Sequence, residues 1–144
     1  MEISLKRVLW AGLAAGVVVA LAGAGLVPIV GDDMAAAMAR FQLAPMGPAA
    51  MAYFAAVSLL NGLAVVALHA VLLPLLKSWV QAALVAAGAL WLFGYTLPNF
   101  ANVAYGFMPM KLTIIGTLWG VLELGAGSLI GARLYRGSRP TPKA

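Results

Sequence analysis

The sequence predicts an all-α membrane protein: an antiparallel bundle of four transmembrane helices with both termini cytoplasmic. Three observations carry that prediction. First, 64% of the 144 residues are hydrophobic and only 9% are charged, with a mean hydropathy of +1.00. That balance lies far outside the range of soluble domains. Second, four stretches stay apolar over about the 20 residues that a helix rising 1.5 Å per residue needs to cross a hydrocarbon core. Third, the basic residues gather on one side of those stretches. The apolar runs are continuous, without the polar and apolar alternation of barrel strands, so helices are expected.

The first helix is expected from Val8 to Val30, after Lys6 and Arg7. Ala20-Leu21-Ala22 resembles a signal cleavage site, but the apolar run continues well past the usual core of about 7–15 residues, so a retained helix is expected. Next comes an outer loop from Gly31 to Pro48 containing "DDMAAAMARFQL". Acidic residues ahead of an Ala-rich run predict a short separate helix starting near Asp32 or Asp33. Its Met34, Met38 and Phe41 would lie on the membrane surface or pack on the bundle. The second helix is expected from Ala49 to Leu73, and the third from Trp79 to Pro98. The link Pro74 to Ser78 is short enough to make these two antiparallel neighbours. A second outer loop, Asn99 to Met110, is bounded by Pro98 and Pro109. The fourth helix is expected from Leu112 to Ala132, followed by a basic cytoplasmic tail, residues 133–144, "RLYRGSRPTPKA". That tail anchors topology and touches anionic lipid. The whole chain, 1–144, reads as a single transmembrane domain.

Orientation follows from the nine Lys and Arg residues. Lys6, Arg7, Lys77, Arg133, Arg136, Arg139 and Lys143 share one side, whereas Arg40 and Lys111 lie opposite with Asp32 and Asp33. The positive-inside rule makes the richer side cytoplasmic. Trp10, Trp79 and Tyr135 then fall at the cytoplasmic interface, and Tyr53, Tyr95 and Tyr105 toward the other face. The net charge of +5 reflects this topology. A nucleic-acid footprint needs a basic face on a folded soluble domain, so no nucleic-acid partner is expected.

The residue that stands out is Glu123, the one charged group within any of the four stretches. At 100° per residue from Gly116, Gly120 falls at about 40°, Glu123 at about 340°, Gly127 at about 20° and Gly131 at about 60°. The carboxyl therefore shares a narrow face with four glycines, arranged as two GxxxG pairs that admit a neighbouring backbone closely. Helix one carries a matching face, Gly12, Gly16 and Gly23, which predicts that helices one and four pair. The other use of such faces is a homo-oligomer contact.

An ionised carboxylate without a partner at this depth costs at least ~2.5 kcal/mol, so the neutral acid and a hydrogen-bond partner are expected. Depth nominates Asn61, near the middle of helix two. Ser58, Asn61 and His69 form one polar sector of that helix, with His69 nearer the cytoplasm. Trp119, one turn before Glu123, would wall a small cavity or simply pack. Glu123 either locks helix register through a hydrogen bond or exchanges protons or coordinates a cation or polar ligand.

Other chemistry is limited by what the chain contains. With one histidine and no cysteine, neither a zinc site nor bis-histidine haem is available within one chain. No metal and no cofactor are therefore expected. A Ser-His-Asp arrangement fails because His69 and the pair Asp32 and Asp33 lie at opposite faces of a core about 30 Å thick.

The segments "LKRVLWAGLAAG", "MAAAMA" and "IGTLWGVLELGAGSLIGARLY" resemble an uncharacterised family of small bacterial four-helix integral membrane proteins. The resemblance spans most of the chain and implies a multi-pass protein of the bacterial inner membrane, with no activity attached. Small multidrug transporters share the size and helix count and depend on a membrane glutamate, but carry it on the first helix, which is uncharged here. The expected function is that of a structural or accessory membrane protein. It would pack in the lipid bilayer with itself as a homo-oligomer or within a larger membrane complex. A minimal proton-coupled or cation-linked transporter using Glu123 is the alternative, and a membrane-embedded enzyme or ligand-binding protein the third.

Overall fold

The computed structural model describes residues 3–76 and 78–137. Among these, every regular element is helical: α1 (Leu5–Ala39), α2 (Pro48–Leu72), α3 (Trp79–Leu90), a π-helical stretch (Trp91–Thr96), α4 (Leu97–Ala104) and α5 (Met110–Gly137). Because α3, the π-helical stretch and α4 run on without interruption, four helices are long and apolar enough to cross a membrane, the third being Trp79–Ala104.

Local chemistry explains most starts and stops. Pro48 opens α2, where its missing N–H is not needed. The Ser78 hydroxyl accepts from the Gln81 N–H at 3.1 Å and caps α3. At the end of α4, Phe107 N–H bonds to Asn102 and Gly106 N–H to Val103, with Gly106 at φ +75°. This glycine-terminated closure satisfies the last carbonyls.

Three expectations about helix ends are corrected. The separate loop helix near Asp32 does not exist as such, since α1 continues without a break to Ala39. Good helix formers from Met34 to Ala39 extend it, and Ala37 and Val30 are buried with Leu112. Pro28 sits inside this helix, its lost hydrogen bond tolerated as in other apolar helices. The third helix passes Pro98 because the proline lies in the first turn of α4, directly after the π-helical widening. The fourth begins earlier and continues through Arg136, so 133–137 of the expected tail are helical. Lys77, Arg139, Lys143 and the rest of the tail lie outside the described residues.

Packing is inverted relative to a soluble domain. The buried centre is built mainly of small residues, Ala11, Ala15, Ala70, Ala86 and Ala87, with Val19, Val65, Val66 and Leu124. Large apolar side chains such as Leu21, Leu60, Leu84, Leu118 and Leu122 point outward. This is what an apolar solvent produces, because helices gain by close approach at small residues and not by hiding leucines from water. The closest approach joins α1 to α2. A methyl on Gly16 would lie 2.6 Å from the Leu59 Cα, and one on Gly62 would fall on the backbone of Gly16 and the carbonyl of Gly12.

Gly62→Ala is therefore expected to force α1 and α2 apart and to cost ~1–3 kcal/mol, read as a lower thermal midpoint in detergent. At Gly88 an added methyl meets nothing within 4 Å. Gly88→Ala should leave the stability unchanged or raise it by up to ~1 kcal/mol through helix propensity, read as an equal or higher midpoint.

Candidate functional site

Glu123 lies near the midpoint of α5 and is 6% exposed. Three spans meet around it. The Tyr95 hydroxyl donates to Glu123 Oε2 at 3.0 Å. Gly23 of α1 faces the other oxygen, and a methyl there would stand 3.3 Å from Oε1. Gly120, one turn before the glutamate, faces the Tyr95 ring, and a methyl on it would meet the ring at 2.6 Å. Two glycines thus open the space, one for the carboxyl and one for the phenol that holds it.

Tyr95 lies within the π-helical stretch, which spans Trp91–Thr96. Trp91, at its start, donates its indole N–H to the Thr117 carbonyl at 2.7 Å. Eight residues further on, Asn99 Nδ2 reaches the Thr117 hydroxyl at 3.4 Å, a long hydrogen bond. Trp91, Tyr95 and Asn99 consequently form one stripe of polar tips directed at α5. On the other flank, the Trp119 indole donates to the Ala22 carbonyl of α1 at 2.9 Å. The buried Ser128 hydroxyl donates to the Ala83 carbonyl of α3 at 2.7 Å. Local hydrogen bonds thus tie α5 to both neighbours along much of its length.

The expected partner of the carboxyl, Asn61, is replaced by Tyr95. The polar sector of α2 lies elsewhere: Ser58 donates back to the Phe54 carbonyl of its own helix at 2.9 Å, and buried His69 meets the edge of Tyr135, ring centroids 6.0 Å apart. Tyr135 is twelve residues from Glu123, about 18 Å along α5. Trp119 packs on α1, its ring 3.7 Å from a methyl added at Gly25.

The glycine face is divided among neighbours. Gly127 and Gly131 do meet α1, at Ala11, Ala15 and Val19, with Val66 of α2 also against Gly131. Gly12 and Gly16, expected against helix four, pack on α2 instead. Gly116 has nothing within 4 Å of an added methyl. A single-helix projection gives a face but not the partner, and α5 touches α1, α2, α3, the π-helical stretch and α4. Among the described residues no three His, Asp or Glu side chains converge.

A third helix ending at Pro98 leaves Tyr95 at an interface, as an aromatic-belt residue with no link to Glu123. Continuing to Ala104 adds six residues, about 9 Å, and puts it deeper. The spacing of Trp91, Tyr95 and Asn99 was the available signal. The chain matches no protein-family model, no curated protein and no solved structure.

Tyr95→Phe keeps the ring and deletes the donor, so it should cost ~1 kcal/mol in thermal unfolding. Gly120→Val should cost more, because it drives a side chain into the Tyr95 ring, whereas Gly116→Ala should cost little.

Proposed function

We propose that this chain is a small integral membrane protein of structural or accessory type, acting by packing with itself or within a larger membrane complex. Its four helices form an antiparallel bundle with both termini cytoplasmic, multi-pass in a membrane of the bacterial inner-membrane kind. Residue order at the contacts supports the antiparallel arrangement. Gly12 meets Leu63 while Gly16 meets Leu59, and Gly131 meets Ala11 while Gly127 meets Val19. Ala83 meets Ser128 while Tyr95 meets Glu123. The basic residues near the start of α1 and the end of α5 then fall on one side, which the positive-inside rule makes cytoplasmic. The resemblance to small bacterial four-helix membrane proteins agrees with this topology.

The observation that carries the accessory role is the engagement of Glu123 by Tyr95. The carboxyl is held between three spans, where it fixes their register, leaving the outward apolar surface to meet partners. The alternative, a proton-coupled or cation-linked carrier using Glu123, draws on one observation. The hydroxyls of Thr96, next to Tyr95, and of Thr113 are buried without a hydrogen-bond partner among the described residues, as groups awaiting water or an ion would be.

Glu123→Gln separates the two. A glutamine oxygen still accepts from Tyr95, so the thermal midpoint should stay within ~0.5 kcal/mol of the parent. Glu123→Leu should lose ~1–3 kcal/mol by stranding the Tyr95 hydroxyl. Proteoliposomes with an entrapped pH indicator should show no proton flux that depends on Glu123. A flux present in the parent chain and abolished in a stably folded Glu123→Gln would overturn the accessory role in favour of the carrier.

A further inference from the structure

We propose that the groove between the first turns of α1 and the last turns of α5 binds the phosphate of an anionic phospholipid headgroup. This goes beyond the accessory role and is independent of what Glu123 does. The groove has a volume of about 380 Å³ and is lined by Lys6, Arg7, Trp10, Ala11 and Leu134.

The lining has the two chemistries of such a headgroup. Lys6 is exposed and Arg7 half-buried at the mouth. The ammonium supplies a point charge and the guanidinium a planar fork that grips two phosphate oxygens. Below them the walls are apolar. Trp10 is 66% exposed, an indole placed as those at membrane interfaces are, and Leu134 with Ala11 would meet the glycerol and the first acyl carbons.

The field at this end is positive. Arg133 is exposed nearby, and Arg136 stacks over Trp79 with its guanidinium carbon 5.2 Å from the ring centroid. Among the described residues the carboxylates are remote. Asp33 lies roughly 39 Å from Arg7 along α1, where it pairs with Lys111 at 2.7 Å, and Glu123 is bonded to Tyr95. Glu2 lies outside the described residues. Two cations over an apolar slot favour a headgroup whose net charge is negative over one in which a choline ammonium would meet Lys6 and Arg7.

Native mass spectrometry of the full chain in detergent tests the site, with phosphatidylglycerol and phosphatidylcholine of matched acyl chains as probes. The parent chain should retain one phosphatidylglycerol about tenfold more tightly than phosphatidylcholine. The double variant Lys6→Gln, Arg7→Gln should lose that preference. Since those charges also orient the chain in a membrane, Leu134→Trp is the second variant. It keeps every charge, fills the groove, and should weaken phosphatidylglycerol retention by a similar factor. Lys111→Gln, at the opposite end, should leave retention unchanged, and inorganic phosphate in large excess should not displace the lipid. Equal retention of the two lipids overturns the assignment, as does undiminished preference in Leu134→Trp. Loss of preference in Lys111→Gln overturns it too, and displacement by inorganic phosphate would assign the groove to the free anion.

Discussion

The structure depends on the contact of α1 with α2 at Gly12, Gly16 and Gly62, where the two helix backbones approach closely. Among apolar surroundings there is little to gain from gathering leucines together, so attraction comes from many close atom pairs and needs backbones that approach. Once α1 is seated on α2 at this depth, its next faces are fixed. Ala11, Ala15 and Val19 become the floor for Gly127 and Gly131, and Gly23 arrives opposite Glu123. The glutamate is accommodated because α1 was positioned elsewhere.

Two kinds of adhesion therefore divide the work. The contact of α1 with α2 is close and carries little polar chemistry. The contacts of α5 with α1 and with the third span are stitched by indole, phenol, amide and hydroxyl groups. Close packing tolerates small sliding errors along a helix, whereas directional hydrogen bonds do not. The polar groups set register in a bundle whose small apolar interior specifies it weakly. Near Asp33 and Lys111 an exposed ion pair joins the far end of α1 to the start of α5, but such a pair contributes only ~0.2–1 kcal/mol.

The number of helices and the isolation of Glu123 were legible because both rest on simple physics: apolar length and one charge in an apolar run. Helix ends were not. Asp32 and Asp33 look like the start of a new element, yet they are consistent with the middle of a long helix if the burial of Ala37 against Leu112 outweighs local signals. Pro98 looks like a stop, yet it is harmless in a first turn that follows a π-helical stretch. A helix that stops there leaves Tyr95 at an interface and Asn61 as the polar group at the depth of Glu123. Which helix fills each glycine face is a tertiary fact that one helix at a time does not contain: Gly127 and Gly131 meet α1, Gly12 and Gly16 meet α2, and Gly116 has nothing within 4 Å of an added methyl.

The small-residue interior also bears on how such a chain tolerates change over generations. In most soluble proteins the surface drifts while the core is held to a volume. Here the outward leucines and valines are interchangeable in shape, as any apolar side chain satisfies an apolar neighbour. The interior alanines and glycines, by contrast, have no smaller substitute that keeps the helix and no larger one that fits. A single added methyl at Gly16 or Gly62 would meet a neighbouring backbone, so substitutions should be tolerated on the outward apolar face before they are tolerated there.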